Sequence, residues 1–208
     1  IDSTPYVKIE IIEALGKIGS EQAKTSLLSI FNTYWKQGPK SEKYVWEDSD
    51  YSSVVRATLE ALYSWKSEKE IFDMFRSIYL EERKIPDWRT QEKAYELFLR
   101  AKMEREGIIG PEKEINYLLS NLKSSGLDWV KGKNGVKTIE AIQDGAVATV
   151  LIKYSKVALP YIDKELNKIS STQEKRRYEA LSCVKKHIEK TLEHNCKEQE
   201  KENSKTEK

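Results

Sequence analysis

The chain has little of what would tie down a small or secreted fold. Only two cysteines, Cys183 and Cys196, occur in 208 residues, both near the C-terminal end, so no disulfide framework holds it together. Two histidines leave few groups for metal chemistry or proton transfer near neutral pH. No apolar run approaches the roughly 18–20 residues needed to cross a bilayer, and no charged-then-apolar signal segment is present. Neither sign of charge dominates: 36 basic against 34 acidic side chains give a net charge of +2. A dedicated duplex-DNA binder carries a stronger basic excess or a clear basic stripe. The phosphate-binding patterns G-x-x-x-x-G-K-[ST] and G-x-G-x-x-G are missing, and neither histidine has the context of a Ser-His-Asp set. No residue is named as catalytic and no cofactor is expected.

What the chain does have is repetition. Residues 7–21 read VKIEIIEALGKIGSE and residues 54–68 read VVRATLEALYSWKSE. At an offset of 47, Val7, Glu13, Ala14, Leu15, Ser20 and Glu21 recur as Val54, Glu60, Ala61, Leu62, Ser67 and Glu68. Apolar character recurs at Ile12/Leu59, Ile18/Trp65, Leu27/Met74, Leu28/Phe75 and Phe31/Ile78. Each copy reads as two amphipathic helices, too thin to bury its own apolar face and stable only when stacked. The 38% hydrophobic and 34% charged content suits such a surface-rich stack.

Punctuation places the helices. Thr4 and Pro5 open the first, which continues through Tyr6, Ile9, Ile12 and Leu15 at helical spacing and stops between Gly16 and Gly19. Ser20 caps a second with Ala23, Leu27, Ile30, Phe31 and Tyr34 inward, ended by Gly38-Pro39. The reading continues with pairs over about 52–83 (Ser67 capping the second helix), 87–122 and 138–170, then a terminal helix over 172–193 capped by Thr172. The apolar stripe of that helix is Tyr178, Leu181, Val184, Ile188 and Leu192, with Cys183 a small buried hydrophobe. Residues 1–193 are expected to form a single domain, and 194–208 a polar charged tail. No segment alternates with period two over a strand's length. Val147–Ile152 is β-branched but sits in a longer helical pattern and reads as buried helix. The expected class is all-α.

The turn E-A-L-G-K-I-G-S-E at 13–21 resembles the HEAT-like repeats of the phycobilisome-lyase type, and Val157–Ile162 resembles the start of such a repeat's second helix. The likeness covers 5–37, 54–83 and 138–170; the pair at 87–122 lacks the A-L-G-x-I-G turn. It implies a right-handed α-solenoid of about four antiparallel helix pairs plus a C-terminal helix. It implies scaffolding and recognition of a protein partner, and no chemistry. Stacks need polar terminal caps, so a first helix opening at Thr4 leads to the expectation of an upstream extension or an N-terminal anchor. The chain begins at Ile1 rather than Met. The sequence leaves the compartment unknown, with two alternatives: the cytoplasm or, where an export signal preceded Ile1, a bacterial periplasm or cell envelope.

Candidate binding residues come from the connections. Trp46, Trp88 and Trp129 lie 42 and 41 residues apart, each entering the first helix of a pair, two of them as Asp87-Trp88 and Asp128-Trp129. In a solenoid such positions share one edge, and tryptophan and tyrosine are enriched at interface hot spots. Tyr44, Trp46, Trp88, Arg89, Trp129, Lys131 and Lys133 are therefore the candidate partner-binding residues. The plainer reading is that each indole seals the core where a connection crosses it, with its acidic neighbour capping a helix. The competing function is nucleic-acid binding by the 123–137 connection, where Lys123, Lys131, Lys133 and Lys137 surround Trp129. Asp87, Trp88 and Arg89 invite comparison with HEAT-like DNA glycosylases, but neither a wider motif nor a basic cleft accompanies them. Cys183 and His187 stand i,i+4 on one helix, yet His194 and Cys196 lie too far along to close the same site, so no metal is expected.

Overall fold

The computed structural model describes residues 4–38, 50–81, 87–122, 139–169 and 174–206. Every regular element among them is helical, and the class is all-α. The α-helices are α1 Pro5–Ile18, α2 Glu21–Gln37, α3 Asp50–Leu62, α4 Lys69–Leu80, α5 Trp88–Arg105, α6 Pro111–Asn121, α7 Ile139–Lys153, α8 Leu159–Leu166 and α9 Lys175–Thr206. Single 3-10 turns, Tyr63–Trp65 and Ser155–Val157, follow α3 and precede α8. Thr172, the expected cap of the last helix, lies outside the described residues. Among the described residues no helix is long and apolar enough to cross a membrane.

By packing, the chain forms two compact units. One is Ile1–Gly107 with Lys131–Ile142, the other Ile108–Val130 with Gln143–Lys208. The division falls between α5 and α6, inside the segment read from sequence as the third pair.

In the first unit α1 packs on α2 and α3, α2 on α3, α3 on α5, and α4 on α5. The first helices of successive pairs thus lie side by side. Their apolar residues meet in one core containing Ile12, Leu27, Leu59, Ile71, Phe75 and Leu97, each at most 1% exposed. Local chemistry sets the ends. Pro5 starts α1, and Gly19 closes it at φ 65°, donating its N–H to the Leu15 carbonyl at 3.3 Å; a side chain there would be strained in the left-handed region. The Ser20 hydroxyl accepts from Ala23 N at 3.1 Å and caps α2. The second copy departs from the first here: Glu68, not Ser67, occupies the N-cap of α4, and its side chain makes no cap bond. At the other end of α4, Gln91 of α5 donates to the carbonyl of the C-cap Glu81 at 2.8 Å. The Trp35 indole N–H donates to the Glu81 carboxylate at 2.7 Å.

Gly16 is where α1 comes closest to α3. A Cβ there would stand 2.9 Å from the Ala61 Cβ and 3.1 Å from its Cα. Alanine in a helix interior is favoured over glycine by about 0.8–1 kcal/mol, whereas forced overlap in a packed contact costs about 1–3 kcal/mol. Because the opposing atoms include backbone, the clash prevails. Gly16→Ala is expected to lower stability by about 1 kcal/mol in chemical denaturation, and Ala61→Gly added to it to recover part of the loss.

In the second unit α9 packs on α8 and on the 3-10 turn before it, and α6 packs on α8. Arg177 joins them, donating to the Leu119 carbonyl at 3.1 Å and pairing with Glu165 at 2.7 Å. Tyr154 donates its hydroxyl to Glu114, and Glu114 also accepts from Gly110 N at 2.8 Å, which helps cap α6. Val147, Ala148, Val150 and Leu151 are buried in α7, as the helical reading of that segment expects. Leu181, Val184 and Ile188 form the buried stripe of α9. Cys183, expected to be buried beside them, is exposed, because it lies two positions past Leu181 and so on the opposite side of the helix. The helix does not stop at 193 but runs through the charged tail to Thr206.

Candidate recognition surface

Five of the seven candidate binding residues, Tyr44, Trp46, Trp129, Lys131 and Lys133, lie outside the described residues. Trp88 and Arg89 open α5. Trp88 is only 7% exposed and packs against Ile142, and the Arg89 guanidinium lies 5.4 Å from its ring centre. Beside it Asp87 is completely buried. Its carboxylate accepts from Thr90 N at 3.1 Å, from the Thr90 hydroxyl at 2.6 Å and from the Ser52 hydroxyl of α3 at 3.2 Å. The Asp-Trp pair at 87–88 is thus a helix cap and a core plug, in line with the plainer of the two sequence readings.

A different surface offers room for a ligand. Where α1 meets α3, a groove of about 770 Å³ is lined by Glu13, Gly16, Lys17, Arg56, Ala57, Glu60, Ala61 and Ser64. Its floor exists because Gly16 and Ala61 carry almost no side chain, and its walls mix two carboxylates with two cations. Glu13 and Glu60 occupy the same place in the two repeat copies. Gly16 has no small counterpart, since the offset of 47 carries it onto Tyr63.

From Glu60 a polar seam continues between α3 and α5. Lys93 pairs with Glu60 at 3.0 Å and with Glu96 at 2.8 Å, and Arg100 reaches Glu96 at 3.7 Å. Glu96 is only 1% exposed, and these two cations offset the cost of burying its carboxyl group. Burial pulls the Lys93 pKa down, but the hydrogen bonds and charges of Glu96 and Glu60 outweigh it and hold the ammonium above its usual range. Tyr63 donates to Glu104 at 2.9 Å, with Lys66 and Arg100 at 4.4 and 4.5 Å from its ring centre. Burial raises the Tyr63 pKa against the pull of Arg100, and the Glu104 carboxylate adds to the rise. The phenol stays neutral and the Lys93 ammonium stays charged near pH 7.

The sequence reading missed an apolar surface on α1. Tyr6, placed inward by its spacing, is 80% exposed, and Val7, Ile11 and Ile18 are 43%, 51% and 66% exposed. Trp35, not singled out from sequence, is buried at 7% and stacks on Phe31 with ring centres 5.8 Å apart. Among the described residues no group of three or more His, Cys, Asp or Glu side chains is placed to hold a metal ion. No family model matches the chain, and no curated protein or solved structure matches it.

Proposed function

We propose that this chain is a non-enzymatic module for protein recognition or scaffolding, built as a right-handed solenoid of HEAT-like helix pairs. The observation that carries the reading is the groove between α1 and α3, lined by Glu13 and Lys17 of α1 and by Arg56 and Glu60 of α3, with Gly16 and Ala61 between them. Alternating charges above a backbone-lined floor suit a polypeptide bearing both signs of charge. The groove is made by helices that pack on each other, so binding orders little of the protein and wastes little of the interaction energy. Tyr44, Trp46, Trp129, Lys131 and Lys133, which lie outside the described residues, stay in this reading as candidate partner-binding positions from sequence alone.

The test is affinity capture from nuclease-treated native lysate, with wild type beside Glu13→Lys/Ser64→Lys. Both positions are exposed, so circular dichroism should be unchanged. The expected result is a defined protein retained by wild type and lost by the variant. Equal retention by both would remove the groove from the reading. Capture found only in a parallel untreated lysate, and weakening steeply with salt, would transfer the function to nucleic acid and to Lys131 and Lys133.

A further inference from the structure

Helix α1 is apolar on two sides. One side, around Ile12, is buried against α2 and α3. The other runs through Val7, Ile11, Ala14 and Ile18, all exposed. At about 100° per residue, the spacings of four, three and four hold these side chains within an arc of about 60°.

The repeat identifies what kind of face this is. An offset of 47 carries the stripe onto Val54, Thr58, Ala61 and Trp65. In that copy Val54 and Thr58 are fully buried and Trp65 is 8% exposed. Ala61, the counterpart of Ala14, is the residue on which Gly16 of α1 rests. The stripe on α1 therefore corresponds to the face through which α3 receives a neighbouring helix.

Charge selects the occupant. As a heptad seam, Val7 and Ala14 are d positions and Ile11 and Ile18 are a positions; the flanking g positions are Glu10 and Lys17, both exposed. Two copies of α1 laid antiparallel about a twofold axis set Ile11 over Ala14 and Val7 over Ile18. They also bring Glu10 of each copy opposite Lys17 of the other, once at each end. Lys8 and Leu15, at the e positions, then meet without opposing like charges. A parallel pair would place Glu10 beside Leu15 and form no such ion pair. Helix α2 does not widen the patch, since Thr25, Ser26, Ser29 and Thr33 are its exposed residues nearby in sequence.

We propose that the chain self-associates through this stripe as a closed twofold dimer with α1 antiparallel to α1 of a second copy. The contact is isologous and complementary to itself. It does not depend on the groove reading above. A pair of helices about 21 Å long covers less than the roughly 800 Å² per partner of a standard interface, so the dissociation constant is expected at roughly 10–100 µM.

Sedimentation velocity on the full purified chain, from about 5 to 500 µM, tests this. Wild type should shift from monomer to dimer across the range. Ile11→Glu, and independently Ile18→Glu, should stay monomeric throughout while keeping the wild-type circular dichroism. Glu10→Lys or Lys17→Glu alone sets like charges face to face at both ends and should weaken association about tenfold. Glu10→Lys combined with Lys17→Glu should restore it. A wild type that remains monomeric at the highest concentration overturns the proposal, as does a dimer indifferent to the Ile11 and Ile18 variants. A double charge swap that fails to restore association overturns the antiparallel arrangement.

Discussion

Trp88→Ala should cost about 3–5 kcal/mol of stability, the usual range for removing a large aromatic side chain from a core. The indole is almost wholly covered by the fold and rests against Ile142, so truncation removes apolar burial and leaves a void beside it. For a domain of this size that loss corresponds to a fall in Tm of about 10 °C, readable by circular dichroism. Trp88→Phe keeps most of the ring and should lose less than half as much. An indole presented to a partner would behave differently, since exposed substitutions generally stay within about 0.5 kcal/mol. An unchanged Tm together with lost capture of a partner would return Trp88 to the aromatic edge.

Asp87→Ala should cost about 3 kcal/mol, the sum of a lost cap and the stranded Thr90 hydroxyl. The carboxylate caps α5 through Thr90 N, and loss of such a cap costs about 0.5–2 kcal/mol. It also accepts two hydroxyls, those of Thr90 and Ser52. Thr90 is fully buried, and stranding its hydroxyl donor costs about 1–3 kcal/mol. Asp87→Asn separates geometry from charge. The new amide oxygen can still accept from Thr90 N, and the amide nitrogen can donate to the hydroxyls once they turn round to accept. The bonds survive without the charge, so Asp87→Asn should retain most of the stability in urea denaturation. A loss as large as that of the alanine variant would show that the negative charge at the start of α5 matters more than the hydrogen bonds.

The all-α class and most helix starts were legible because each rests on local chemistry. Pro5, the Ser20 hydroxyl, Gly19 and the Asp87 carboxylate act on backbone within four residues. The helix end points were less legible where nothing local stops the chain. The charged run after Glu193 contributes no apolar surface, so its hydropathy gave no reason to extend α9 to Thr206. Exposure was hardest to read. Tyr6 and Tyr79 are both tyrosines at helical spacing, yet one is 80% exposed and the other 6%. Tyr79 meets Tyr95 and Phe98 on α5, with ring centres 4.7 and 5.6 Å apart; no helix lies over Tyr6 among the described residues. Cys183 shows the same problem in reverse, placed with its apolar neighbours by sequence and on the other side of the helix by its angle. The groove was not read from the sequence, because the closeness of α1 to α3 at Gly16 is a property of two helices together.

Val7 and Val54 are the same residue at the same place in the two copies, one 43% exposed and the other fully buried. Genetic drift should therefore treat them differently. A polar replacement at Val54 would be purged as a folding defect, whereas one at Val7 would be visible to selection only through what touches α1. The two positions carry the same letter, and their neighbours decide which of the two can change. Among natural variants of this chain, polar residues appearing at 7, 11 and 18 ahead of 54 and 59 would be the trace of that asymmetry, written in substitution patterns.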